Sequence, residues 1–134
     1  MNAFDTNVLI YVYDGSEPSR QEQAIALLND TPDAVILWQV ACEFISASRK
    51  LASQGFSSQE AWRRLSVQVD AFRLVIPSRE VLDRARGLHT TMQIPFWDAM
   101  IFAACLEANV QRIYSEDLPG CPIPGLEVVN PFTC

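Results

Sequence analysis

Four acidic side chains, Asp5, Glu43, Asp98 and Asp117, stand in surroundings that invite chemistry. Asp98 is the strongest signal. Its segment, Phe96-Trp97-Asp98-Ala99-Met100-Ile101-Phe102-Ala103-Ala104-Cys105-Leu106, is apolar almost all round, so a helix there should be largely buried. A buried carboxylate is costly unless it is paired, protonated or bound to metal. No basic residue between Arg86 and Arg112 offers a local partner. Glu107 provides a contrast: nine residues on, about 900° of helix away, it belongs to the opposite, solvated face. Asp5 follows a short apolar run in Phe4-Asp5-Thr6-Asn7, and Asp117, with Glu116, follows Arg112-Ile113-Tyr114. Glu43 is flanked by apolar residues in Val40-Ala41-Cys42-Glu43-Phe44-Ile45. Each of these three also has a plain structural reading: a helix N-cap, an early helix-dipole acid, and a turn with Ser115 and Pro119.

Other chemistries lack material. His89 is the only histidine and sits late in a helical stretch beside Arg84 and Arg86, where a structural role suffices. The chain has no phosphate-binding glycine loop, no dinucleotide fingerprint and no nucleophile elbow. Four oxygen donors with essentially no imidazole suit a hard cation, Mg²⁺ or Mn²⁺, rather than zinc. Carboxylates packed together repel unless a cation lies between them. Such ions activate water, hold an in-line phosphodiester and stabilise the departing oxyanion. Lys50, the only lysine, lies seven residues beyond Glu43 on roughly the same helix face. It could meet phosphate, although a solvated lysine is the plainer reading.

Acids this far apart in sequence need a scaffold that gathers them. Apolar runs of strand length alternate with helical stretches, the pattern of an α/β fold with a parallel sheet. Strands are expected at residues 2–5, 34–37, 74–76, 112–114 and 126–129, and helices between them. Ser19 with Glu22 and Ser57 with Glu60 have capping-box spacing, and Gly55 stands where a helix spanning 39–54 would end. Further helices are expected after Ser78, to about residue 91, and after Pro95, to about residue 109. In open parallel sheets ligands gather beyond the carboxyl ends of strands, which is where Asp5 and Asp117 fall.

Composition sets the outer bounds. At 134 residues and about half apolar, the chain suits one globular domain spanning 1–134. Its apolar runs are too short to span a membrane and no secretory signal is evident, so a cytoplasmic setting is expected. Cys42, Cys105, Cys121 and Cys134 form no C-x-x-C pair and are expected to be reduced. The net charge of −6 opposes nucleic acid, but setting aside the four acids leaves 12 acidic against 10 basic residues, a balance of −2. Bound divalent cations would lower the local repulsion further.

Four segments then resemble a known family: Phe4-Asp5-Thr6-Asn7-Val8-Leu9, Gln39-Val40-Ala41-Cys42-Glu43-Phe44, Phe96-Trp97-Asp98-Ala99-Met100-Ile101 and Tyr114-Ser115-Glu116-Asp117-Leu118. In this order they resemble the PIN-domain family, and the closing Asn130-Pro131-Phe132 resembles its VapC-type toxin ribonucleases of toxin–antitoxin modules. The resemblance implies a three-layer α/β/α sandwich on a five-stranded parallel sheet. It implies Asp5, Glu43, Asp98 and Asp117 as catalytic, metal-binding acids, with Thr6, Ser115 and Glu116 in support. Also implied are hydrolysis of RNA by metal-activated water with Mg²⁺ or Mn²⁺, a homodimer, and an antitoxin partner.

Rival readings follow from the same residues. A housekeeping RNA-processing nuclease would need no antitoxin, and a degenerate copy of the fold would only bind protein. A phosphoacceptor receiver domain wants a lysine near the phosphoryl group, whereas Lys50 lies mid-helix, and a haloacid-dehalogenase-type phosphatase wants a second Asp where Asn7 stands.

Overall fold

A computed structural model describes residues 1–120 and 122–133, so Cys121 and Cys134 lie outside the described residues. Five short strands, β1 (Asn2–Phe4), β2 (Ala34–Leu37), β3 (Arg73–Val75), β4 (Arg112–Tyr114) and β5 (Glu127–Val129), form one sheet. Their order is β3-β2-β1-β4-β5 and every pairing is parallel. Burial follows position. All four residues of β2 are buried, as expected of a strand covered on both faces, while the edge strands β3 and β5 begin with exposed Arg73 and Glu127.

The helices are α1 (Thr6–Tyr11), α2 (Pro18–Asp30), α3 (Trp38–Ala47), α4 (Ser58–Ala71), α5 (Arg79–Thr91) and α6 (Phe96–Glu107). From β1 the chain steps outward to β2 and β3, then returns through α5 and α6 to add β4 on the other side of β1. Right-handed crossovers in these two opposite directions place α1 to α4 on one face and α5 with α6 on the other. The result is the expected three-layer sandwich. Phe4, Ile36, Phe44, Phe102 and Ile113 are fully buried and lie in one apolar core shared by sheet and helices.

Where β1 and β4 diverge, the strand order reverses. The register pairs Phe4 with Tyr114, so Asp5 and Ser115 leave the sheet side by side. The Asp5 N–H still donates to the Tyr114 carbonyl at 2.9 Å, and that of Ser115 donates to Val129 at 2.9 Å. This is the topological switch point at which open α/β sheets bind ligands.

Several boundaries differ from the sequence reading for local reasons. Asp5 ends β1 because its carboxylate takes the Thr6 N–H at 2.8 Å and caps α1. The Ser19–Glu22 capping box does not form: Glu17 is the N-cap, two residues earlier, and α2 opens on Pro18 with no side-chain cap. The Ser57 cap does form, its hydroxyl accepting from the Glu60 N–H at 3.0 Å. The helix expected over 39–54 stops at Ala47 and tightens into a 3-10 segment, Ser48–Gln54, which Gly55 ends in the left-handed region at φ 82°. Likewise α6 stops at Glu107, short of Asn109, which adopts φ 59°. The strand expected at 74–76 begins and ends one residue earlier, and that expected at 126–129 begins one residue later. Cys42 and Cys105 carry free thiols, Cys42 exposed and Cys105 buried, and burial pushes the Cys105 thiol well up.

Candidate active site

The elements that meet at the switch point each deliver a carboxylate. Asp5 comes from the end of β1, Glu43 from the second turn of α3, Asp98 from the first turn of α6, and Asp117 from the loop after β4. All four line one cleft of about 280 Å³, together with Thr6, Asn7, Gln39, Lys50 and Trp97.

Asp5 is the innermost and is buried. One of its oxygens caps α1, while Oδ2 accepts from the Ser115 hydroxyl at 2.7 Å and from Asn7 Nδ2 at 3.4 Å. The capping and functional readings of Asp5 are therefore compatible, one oxygen serving each. Burial raises its pKa above the ordinary carboxylate range, and the hydrogen bonds from Ser115 and Thr6 pull against that rise. The nearby charges of Glu43 and Asp117 raise it further.

Glu43 is held from two sides. Gln39, four residues before it on α3, donates to Oε1 at 2.7 Å, and the Thr6 hydroxyl donates to Oε2 at 3.2 Å. Asn7 Nδ2 bridges the far side, with Asp117 Oδ2 and Ser115 Oγ each at 3.3 Å, while its carbonyl oxygen accepts from the Glu116 N–H at 3.2 Å. Ser115 Oγ accepts from the backbone N–H groups of Asp117 and Leu118, both at 3.1 Å. One hydroxyl thus fixes the loop and Asp5 together.

Asp98 departs from the sequence expectation. It is half-buried rather than sunk in the core, because it occupies the first turn of α6, where Phe96 and Trp97 are also exposed. Its position at the positive end of the helix dipole suits a carboxylate. Among the described residues no cation pairs with it, and loss of solvent, followed by the charges of Glu43 and Asp117, raises its pKa. Glu107 lies exposed at the far end of α6 and pairs with Arg84 at 3.2 Å, as the helical period required.

Glu116 turns out of the cleft. Its carboxylate accepts from Arg20 on α2 at 2.7 Å and from the Tyr11 hydroxyl at 2.7 Å, and the phenol pKa is pushed up to about 12 by burial and by this acidic neighbour. Its support is indirect: anchored outside, it leaves Asp117 to face the cleft. Thr6 and Ser115 do touch the acids. Asn7 and Gln39 were missed as site residues, although their spacing, two after Asp5 and four before Glu43, was a usable signal.

Among the described residues no three Asp, Glu, His or Cys side chains are already drawn into a metal cage. The acids surround an open cleft and are spaced by amide and hydroxyl groups. The donor set nonetheless fits a hard divalent cation, being all oxygen, with an excess of negative charge that adds to burial in raising the pKa of Asp5 and Asp98.

A family model described as the PIN domain matches residues 3–118. No curated protein matches. A chain of a toxin–antitoxin complex from Klebsiella pneumoniae superposes with a TM-score of 0.75 at 22% identity, each chain covered completely. A second solved structure, VapBC2 from Rickettsia felis bound to a DNA fragment from their promoter, gives a TM-score of 0.68 at 16% identity over 95% of this chain and 96% of the other. At these identities the two structures share the fold.

Proposed function

The chain belongs to the PIN-domain family, a family of nucleases, and from this premise we propose that it is a metal-dependent endoribonuclease and the toxin of a toxin–antitoxin pair. One observation carries the proposal: four carboxylates from four separate elements line a single cleft at the switch point of the sheet. That a structural neighbour is a chain of a toxin–antitoxin complex supports an antitoxin partner here. We further propose that residues 1–134 act as one nuclease domain in a cytoplasmic homodimer. No helix among the described residues is long and apolar enough to cross a membrane.

In the proposed site Asp5, Asp98 and Asp117 would hold the principal Mg²⁺ or Mn²⁺, and Glu43 would hold it through water or take a second ion. When bound, the metal supplies Lewis-acid activation of water and neutralises phosphate charge. The chain's own groups supply order. Ser115 and the Thr6 N–H fix both oxygens of Asp5, and Gln39 and Thr6 fix both oxygens of Glu43. Asn7 ties Asp117 to the same framework. Acids held at fixed spacing meet the transition state without reorganising, the source of most electrostatic catalysis. The products are a 5′-phosphate and a 3′-hydroxyl.

The test is expression of the wild-type chain beside Asp98→Asn, with growth and the cutting of purified RNAs compared with and without Mg²⁺. Cleavage and growth arrest confined to the wild type, with cleavage dependent on metal, are expected. Robust cutting by Asp98→Asn refutes the assignment.

A further inference from the structure

The cleft contains one group that the acid cluster does not use. Lys50 is the only cation on its wall, and among the described residues it makes no ion pair. It stands at one end of a row, Gln39, Glu43, Ala47 and Lys50, that runs along α3 and its 3-10 extension and faces the cleft throughout. At the other end Gln39 donates to the Trp97 carbonyl at 3.1 Å. The Trp97 indole is 66% exposed, a costly arrangement for the largest apolar side chain. It lines both the acid cleft and an adjoining apolar groove of about 370 Å³, formed with Trp38, Ile76 and Met100.

Eleven residues of helix separate Gln39 from Lys50, roughly 16 Å along the axis. A nucleic-acid strand advances only about 3.4 Å per nucleotide in a duplex, so this row spans more than one nucleotide. The cleft wall changes along this row in a way that matches such a strand: the Trp97 indole shares the wall with Gln39 at one end, Glu43 lies in the middle among the other carboxylates of the cleft, and the Lys50 ammonium stands at the other end. Acids alone repel phosphate, and a lone lysine among them gives a neighbouring phosphate a point of attachment. An exposed indole beside the acids offers an unpaired base a stacking surface.

Building on the nuclease reading, we propose that Lys50 and Trp97 grip the RNA strand on opposite sides of the scissile phosphate, Lys50 by a phosphate contact and Trp97 by stacking an unpaired base. Both are positioning residues. Together they favour single-stranded over fully paired substrate at this site.

The test measures KM and kcat on a fluorescent single-stranded RNA, and binding of a cleavage-resistant analogue of it, with each substitution made in the otherwise wild-type chain. Lys50→Gln should weaken binding and lower the log–log salt slope by roughly 0.7, the loss of one phosphate contact. Trp97→Ala should weaken binding roughly 5- to 100-fold with the salt slope unchanged, the signature of a lost base stack, and Trp97→Phe should restore most of it. Apparent Mn²⁺ affinity should stay unchanged in all three. Wild-type salt slope and KM in both Lys50→Gln and Trp97→Ala, in an enzyme that cuts RNA, overturn the grip and leave the nuclease reading intact. A wild-type chain that cuts no RNA with Mn²⁺ overturns both. Light scattering adds a further arm: if Trp97→Ala dissolves a dimer but binds RNA normally, the indole belongs to an interface between copies and the proposal fails.

Discussion

Among single residues, the raised pKa values of Asp5 and Asp98 carry consequences that can be measured. A carboxyl whose pKa is higher folded than unfolded favours the fold while protonated. Its contribution is complete below the unfolded value of about 3.9 and is lost as pH rises through the folded value. The metal-free wild type should therefore lose stability relative to Asp98→Asn as pH rises from about 4 to 7. Paired thermal melts read the difference, which should be small because Asp98 is half-buried and solvent screens its charge. Added Mg²⁺ or Mn²⁺ should reverse the order, since the wild type alone keeps the full ligand set. Ser115→Ala tests the opposing influence. Its hydroxyl lowers the Asp5 pKa, so its loss should move the acidic limb of the pH–rate profile to higher pH. An unmoved limb would show that Asp5 does not set it.

Among elements, what the sequence makes legible depends on whether a local rule decides the outcome. The alternation of apolar runs and helical stretches suffices for five strands, and the Ser57 cap and the Gly55 terminus follow from backbone chemistry alone. The Ser19–Glu22 box satisfies the same spacing rule yet fails, because Pro18 seeds α2 and moves its N-cap two residues earlier, to Glu17. The burial of Asp98 was overestimated because periodicity describes the whole of α6 and cannot show that its first turn is left exposed. Which way Glu116 and Asp117 point was not legible either. Arg20 lies ninety-six residues from Glu116, and only the packing of α2 brings them together. That tether yields a prediction at this scale. Arg20→Ala should free Glu116, loosen the loop that carries Asp117 and weaken apparent metal affinity several-fold. With metal saturating, kcat should stay near wild type, and a metal titration of activity separates the two effects.

Across the whole molecule, charge and topology govern behaviour. With a net charge of −6, the chain has little general attraction for RNA, so binding should depend on metal. Filter binding of a cleavage-resistant RNA analogue to the wild-type chain should be strong with Mn²⁺ and nearly absent when the ion is chelated, and equal retention in both would argue against a metal-bridged phosphate. With a net charge of −6 the chain lacks the bulk basic footprint that would set target choice, which shifts that burden to the walls of the cleft. Fold class and the order of the four acids were readable from the chain as a whole, because the alternating pattern and its ordered motifs span nearly all of it.

β1 has β2 beside it early in the chain but waits for residue 114 before its second neighbour can dock. Until then Asp5 lacks Ser115 and Asp117, and the half-made sheet exposes an unfilled edge where the cleft will be. On the proposed nuclease function, a nascent polypeptide still on the ribosome would be harmless to the messenger that encodes it, and its cutting power would arrive in one late step. Stalled translation products ending before Arg112 should be inert toward RNA in the presence of Mn²⁺, whereas release of the finished chain should switch cleavage on.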